Sequence, residues 1–256
     1  PVHQPIPHAK LLELLDASDK ILQSVLRHDR RATYGIVARS LQGLLEAESC
    51  AVFLVPADDP GFLVLQAQWT DLKESRSDEK IRLPIRSVEG GGLTGHIAFN
   101  GEVTRLSKNE LHSHPLWART TPRHLQPSEC RSLLCVPLMS RRGCVGLLKV
   151  ENKRLAGAEA SSDVGFTHVD EQIAKLFAAK ILLLLESCRT VDALRELLQA
   201  AEKARDLDEM FDLILDCGLR LLDADRGDIA WWDEPKRGLM LRSTRSPCNL
   251  QKGEFV

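Results

Sequence analysis

The chain has 256 residues, 43% hydrophobic and 27% charged, enough for one full globular domain and part of another. With 34 basic against 36 acidic residues the formal net charge is -2, which supplies no electrostatic drive toward nucleic acid or an anionic membrane surface. Seven cysteines, without CxxC or paired metal-ligand spacing among Cys130, Cys135 and Cys144, argue against a disulfide scaffold or a zinc site. They fit a reducing cytoplasm. The apolar run near Leu182 to Leu185 is too short and too closely flanked by charge to span a bilayer, and no signal peptide is expected. The first residue is Pro1 rather than Met, so the expectation is a segment of a longer protein.

After a Pro-rich lead, Leu11, Leu15, Leu22 and Val25 share one helical face, and a second helix is predicted from about Arg31 to Ala47 through Ile36, Val37, Leu41, Leu44 and Leu45. The period then changes. Cys50 to Val55 and Phe62 to Trp69 are β-type runs around the turn residues Pro56 to Gly61, predicting an antiparallel hairpin. The charged stretch Lys73 to Lys80 is expected to loop out, and Ile81, Leu83 and Ile85 alternate as a strand does. Gly90, Gly91 and Gly92 precede a short helix, Leu93 to Asn100, closed by Gly101. Val103 to Leu106 is a short strand, and Ser107 to Pro127 is expected to be a long irregular loop anchored by Leu116 and Trp117. Ser132 to Met139 and Cys144 to Glu151 form a second predicted hairpin around Ser140 to Gly143.

From Phe166 to Cys217 the chain contains neither Gly nor Pro and is rich in strong helix formers. This predicts one very long helix, or two nearly continuous ones with a joint near Arg205 to Leu207. At 1.5 Å per residue, Thr167 to Arg205 would run on the order of 60 Å, more than one small core covers. Phe177, Leu184, Val191 and Leu198 recur at heptad spacing beside Ile181, Cys188, Leu194 and Ala201, a narrow stripe that asks for a partner helix, hence a homodimer through the long helix. The alternative, a helix lying on its own domain, applies to its first turns. Beyond the helix the opening repeats: Leu44 to Glu48, Val52 to Val55 and Leu63 to Leu65 are echoed by Leu221 to Asp225, Ile229 to Trp232 and Leu239 to Leu241.

The element order predicts an α+β domain with a mainly antiparallel sheet, helices gathered on one face and the other face free to pack the first and last helices. Gly92-Leu93-Thr94-Gly95-His96-Ile97-Ala98, then Arg131 to Leu138, then Val145 to Leu148, in this order resemble a GAF domain, a small-molecule sensory module of signalling proteins. The resemblance covers about Arg31 to Leu185. It implies a GAF-like sheet and a long exit helix leading to a second, incomplete GAF-like copy. The expected organisation is an N-terminal helix and linker at 1–29, a GAF domain at 30–166, a connecting helix at 167–206 and the start of a second copy at 207–256.

Asn152, Lys153, Phe166, Asp170 and Glu171 resemble the NK…F…DE signature of GAF domains in cyclic-nucleotide phosphodiesterases and related bacterial adenylyl cyclases. A pair between Lys153 at a strand end and Asp170 at a helix start would brace the fold there, with the acid where a helix N-terminus favours it. The pocket is expected between the sheet and the segments Gly90 to Phe99 and Ser107 to Thr121, with Gly91, Gly92, Leu93, Thr94, His96, Asn109, His112, Trp117 and Thr120 as candidate ligand contacts and no metal. Nucleotide-binding relatives carry an acid where Lys108-Asn109 stands and Asp-Pro-Arg-Phe where His114-Pro115-Leu116-Trp117 stands, so a cyclic nucleotide is one candidate ligand and its identity stays open. The resemblance implies a regulatory, non-catalytic module that passes ligand state along its exit helix. Two alternatives accompany it: a ligand-free dimerisation or interaction domain, and a free methionine sulfoxide reductase-like enzyme using Cys130, whose neighbour Arg131 would lower its pKa.

Overall fold

The computed structural model describes residues 6–26, 30–70, 73–76, 81–87, 92–117, 130–141, 143–154, 165–222, 224–245 and 253. The chain divides into two compact units, Pro1–Leu184 and Leu185–Val256.

The first unit opens with two helices, α1 (His8–Leu26) and α2 (Arg30–Leu44). They pack on each other, and α2 lies on strands β1 (Ala47–Leu54) and β2 (Phe62–Thr70). Between the two helices the buried hydroxyls of Ser24 and Thr33 meet at 2.9 Å. At the other end Lys10 Nζ donates to Leu44 O at 3.1 Å and to Glu46 at 2.9 Å, fastening the start of α1 to the turn that leads into β1. Two short strands, β3 (Lys73–Arg76) and β4 (Arg82–Pro84), pair with β2. The remaining elements are α3 (Gly92–Asn100), β5 (Thr104–Leu106), α4 (Lys108–Ser113), β6 (Leu133–Ser140), β7 (Gly143–Lys153) and the long helix α5 (His168–Ala201).

The sheet order is β3-β2-β1-β7-β6-β5 and the pairings are antiparallel. The fold is the α+β architecture with a mainly antiparallel sheet expected from the element order. Two of its pieces differ from expectation. The stretch expected to loop out at Lys73 to Lys80 contributes β3, an edge strand paired with β2. The long irregular loop after Ser107 begins instead as α4, because Ser107 and Glu110 cap it: the Ser107 N–H donates to Glu110 Oε2 at 2.8 Å.

Both faces of the sheet are covered. Ala51, Phe53, Leu63, Leu65, Leu133, Cys135 and Leu147 form one cluster with Leu93, Ile97 and Ala98 of α3 and Leu111 of α4. Their alternate neighbours Cys50, Val52, Leu134, Val136, Leu148 and Val150 point the other way by strand pleat and are also buried. The long helices supply that second core through Val37, Ala38 and Leu41 of α2 and Ile173, Ala174, Phe177 and Ile181 of α5. Each buried Val, Leu, Ile or Phe among them contributes about 1.5–3 kcal/mol by leaving water. Phe177 and Ile181, the start of the heptad row, are therefore core residues of their own lobe.

In the second unit α5 stops at Ala201 and α6 (Leu207–Leu222) begins after a turn. Asp206 caps α6, accepting from the Glu209 N–H at 2.8 Å, while Glu209 Oε2 accepts from the Arg205 N–H at 2.8 Å. The rod is thus interrupted where a joint was expected. Cys217 Sγ reaches Ala193 O at 3.5 Å and Arg220 pairs with Glu196 at 3.0 Å, so α6 lies beside the second half of α5. Strands β8 (Asp228–Asp233) and β9 (Gly238–Thr244) form an antiparallel hairpin on α6, repeating the order of α2, β1 and β2.

Candidate functional site

The side of the sheet that carries α3 and α4 holds most of the expected ligand contacts. Gly92 opens α3 at φ +61°, a left-handed backbone that glycine enters at little cost. Gly95 lets the helix touch β4: a Cβ there would stand 2.0 Å from Pro84 O. Gly92, Leu93 and Thr94 are all buried against the sheet. His96 faces outward from them. Its Nδ1 donates to Ser87 O at 2.7 Å and its Nε2 accepts from Asn100 Nδ2 at 3.0 Å, which spends both ring nitrogens on local bracing.

On α4, Leu111 is buried, whereas Asn109 and His112 are exposed, and His112 Nε2 donates to Cys130 O at 3.2 Å. Trp117 packs partly buried against the same apolar cluster as Leu116. Burial and the neighbouring His96 lower the pKa of His114, whose Nδ1 accepts from the Leu116 N–H at 3.3 Å. Gly91 and Thr120 lie outside the described residues. Among the described residues no group of three or more His, Cys, Asp or Glu side chains is arranged to hold a metal ion.

The signature residues meet at the end of β7. Asn152 has φ +59°, a conformation its short amide tolerates better than most side chains. Its Oδ1 accepts from the Arg131 N–H at 2.7 Å and its Nδ2 donates to Glu48 Oε2 at 2.8 Å, while Arg131 itself pairs with Glu48. Lys153 Nζ reaches Asp170 Oδ1 at 3.0 Å and Leu45 O at 2.9 Å. Asp170 also caps α5: its Oδ2 accepts from the Thr167 N–H at 2.7 Å and from Thr167 Oγ1 at 2.9 Å. Phe166 is buried, and its carbonyl accepts from Arg105 at 2.8 Å. Glu171 receives Lys175 at 2.5 Å and Arg105 at 3.5 Å. These contacts tie the start of α5 and the end of β7 to Leu45, Glu48, Arg105 and Arg131, and leave the apolar cluster to others.

Cys130 is buried, and its thiol is pushed well above the ordinary range by burial and by the Glu151 carboxylate. Arg131 is engaged with Glu48, so the cation expected to activate this thiol serves another residue. Cys135, on the same face, is pushed up to about 12 by burial. Neither thiol has the depressed pKa that a nucleophilic cysteine needs.

The residues that the sequence reading passed over are Lys149 and Glu151. They follow Leu147 at alternate positions on β7 and therefore share its side of the sheet. A Lys and a Glu two apart in a strand normally mark a solvated face. Here both are buried, with Lys149 Nζ 2.7 Å from Glu151 Oε1.

The GAF domain family model matches residues 29–184, which include the whole sheet and the first half of α5. The chain belongs to the GAF domain family. Among solved structures, it is similar to the GAF domain of a phosphoenolpyruvate-protein phosphotransferase from Acinetobacter, with 20% identity, a TM-score of 0.54 and coverage of 72% of this chain and 97% of that one. The corresponding domain from Coxiella burnetii matches at 19% identity and TM-score 0.53, covering 71% and 98%. A methyl-accepting chemotaxis protein fragment, residues 122 to 287, matches at 16% identity and TM-score 0.54, covering 68% and 98%. At these identities the likeness concerns the fold. Membership places the chain among signalling and sensing regulatory modules. No described helix is long and apolar enough to cross a membrane.

Proposed function

We propose that this chain is a regulatory module whose first lobe binds a small molecule on the α3 and α4 side of the sheet, and whose α5 passes the bound state onward while pairing with α5 of a second copy. The reading rests chiefly on α5. It starts at the Lys153 and Asp170 pin, commits Ile173, Phe177 and Ile181 to the lobe's core, and then continues unbroken to Ala201. Along that continuation Val191, Leu194 and Leu198 are 46%, 47% and 66% exposed. Their spacing of three and four residues is that of a coiled-coil seam, and a second copy of the same helix offers the matching stripe. A helix anchored in one core and exposing such a seam is suited to convert a change in the lobe into a change in pairing.

A cyclic nucleotide is the first ligand class to test, because the signature at Asn152, Lys153, Phe166, Asp170 and Glu171 resembles that of nucleotide-sensing GAF domains. Light scattering at micromolar concentration should give twice the monomer mass, and a Leu194→Glu/Leu198→Glu variant should return it to one. A thermal-shift series with cyclic AMP and cyclic GMP should raise the melting temperature, since a ligand that binds only the folded state stabilises it. A monomer in the first experiment removes the pairing half of the proposal. A flat thermal response to every small molecule tried, in a chain that still dimerises, reduces it to a dimerisation domain.

A further inference from the structure

Among the described residues, the charged groups on the inner face of β7 differ from their neighbours in how well they are satisfied. Lys153 has a carboxylate and a carbonyl, and Asn152 uses both ends of its amide. Lys149 and Glu151 have only each other, although they are 7% and 3% exposed. Their contact is short, but Glu151 Oε1 receives no donor in hydrogen-bond alignment. A carboxylate oxygen has room for about two donors, and among the described residues this one is the fully buried side-chain oxygen left without any. Nearby hydroxyl and thiol groups are turned elsewhere: Ser49 Oγ accepts from Gln68 at 3.4 Å, and Cys130 Sγ points to Ser132 O at 3.7 Å.

The position of the pair gives this shortfall a purpose. Lys149 lies between Ala51 and Cys135 in the sheet, and Glu151 between Ser49 and Leu133. Ala51, Leu133 and Cys135 belong to the cluster that Leu93, Ile97 and Leu111 cover and against which Trp117 packs. The pair is thus a polar patch on the floor of an otherwise apolar site. Burial alone would pull the Lys149 ammonium below its ordinary pKa, but the Glu151 carboxylate 2.7 Å away outweighs it, so the ammonium stays charged beside an opposite charge.

We infer that Lys149 and Glu151 form the recognition floor of the first lobe's binding site and take the net-neutral end of a small molecule that presents an N–H or O–H donor to Glu151 beside an acceptor for Lys149. This rests on the reading of the lobe as a small-molecule site. A simple anion is a poor occupant, because Lys149 is already neutralised and Glu151 would repel it. A simple cation meets the converse obstacle. Two chemistries offer a neutral donor and acceptor side by side: a zwitterion with an amine next to a carboxylate, and the hydrogen-bonding edge of an uncharged nucleoside or amide.

The test is a thermal-shift and calorimetric comparison on the full chain. One arm uses free α-amino acids (L-leucine, L-methionine) with trimethylglycine as the donor-blocked control. The other uses guanosine and adenosine with 1-methylguanosine as control, and inorganic phosphate and acetate serve as anion probes. At least one arm should bind, with its blocked control at least tenfold weaker and the anions inert. A Lys149→Met/Glu151→Leu variant should keep the wild-type melting temperature or exceed it, since apolar side chains of similar volume replace buried ion pairs at little cost. It should lose the response at least a hundredfold. Glu151→Gln, which keeps the shape, should weaken binding at least tenfold. Equal binding by the double variant, equal binding of the blocked control, or a flat response in both arms overturns the inference. If both arms are flat while a cyclic nucleotide still raises the melting temperature, the floor assignment fails and the sensor reading stands. If nothing binds, both fail.

Discussion

The contact between Lys153 and Asp170 lends itself to a quantitative test. Their side chains are 12% and 8% exposed, so the pair is close to buried, and removing one partner of a buried pair costs about 3–5 kcal/mol. The two single removals should nevertheless differ. In Lys153→Met, Asp170 keeps the Thr167 N–H, the Thr167 hydroxyl and the favourable end of the α5 dipole, so the cost should fall to about 2 kcal/mol. In Asp170→Asn the cap geometry survives, but Lys153 keeps only Leu45 O and remains a nearly buried cation, at about 3 kcal/mol. The double variant should cost less than the sum by about 1.5–3 kcal/mol, the coupling expected of neighbours in direct contact. Urea unfolding followed by tryptophan fluorescence measures this. In a Trp231→Phe/Trp232→Phe background only Trp69 and Trp117, both in the first unit, report. Single effects that add to within about 0.5 kcal/mol, or a Lys153→Met cost above that of Asp170→Asn, would refute the assignment of this pair as the pin of α5.

Three further outcomes follow from the same geometry. Gly95→Ala should destabilise the first unit by about 1–3 kcal/mol, as overpacking does, because its Cβ would meet a backbone carbonyl that has no rotamer to give; chemical denaturation reads this directly. Under native conditions at pH 8, Cys50, Cys130 and Cys135 should be alkylated by iodoacetamide at least about a hundredfold more slowly than an unperturbed thiol, since each is buried with its pKa raised, as peptide mass spectrometry would read site by site. For Glu171, burial pushes the carboxyl up, but Lys175 and Arg105 outweigh it and the folded-state pKa lies below that of an ordinary glutamate. Its stabilisation is therefore complete above about pH 4.5 and is lost as the pH falls through the lower folded value. Between pH 5 and 3 the parent should lose up to about 1 kcal/mol more stability than Glu171→Gln, and equal losses would contradict this.

Much of the sheet was readable in the sequence because strand alternation and apolar runs at Cys50 to Val55, Phe62 to Trp69 and Ser132 to Glu151 report burial that these strands experience. The edge strand β3 was not, since Lys73, Glu74, Ser75 and Arg76 carry no apolar signal and their pairing is made by backbone. Helix α4 had a usable signal in Ser107 and Glu110, hidden by the length of the polar stretch around it. The end of α5 was marked by Asp206 and Glu209, a cap within an otherwise continuous helical pattern. Site chemistry was harder to read. His96 is a plausible ligand contact by position in the motif, yet only coordinates show both its nitrogens already engaged. Lys149 and Glu151 have the opposite history, because charged residues in a strand look solvent-facing until both faces of the sheet are known to be covered.

The ammonium of Lys153 joins the turn that follows α2, the end of β7 and the first turn of α5 at a single point. That geometry restricts the movements open to the first unit's part of α5. Sliding it along its axis draws Asp170 away from the ammonium and opens a contact of 3.0 Å, whereas turning about the pin leaves that contact in place while the far end sweeps sideways. A piston stroke is therefore the motion this joint resists, and a swing or a roll is the motion it permits.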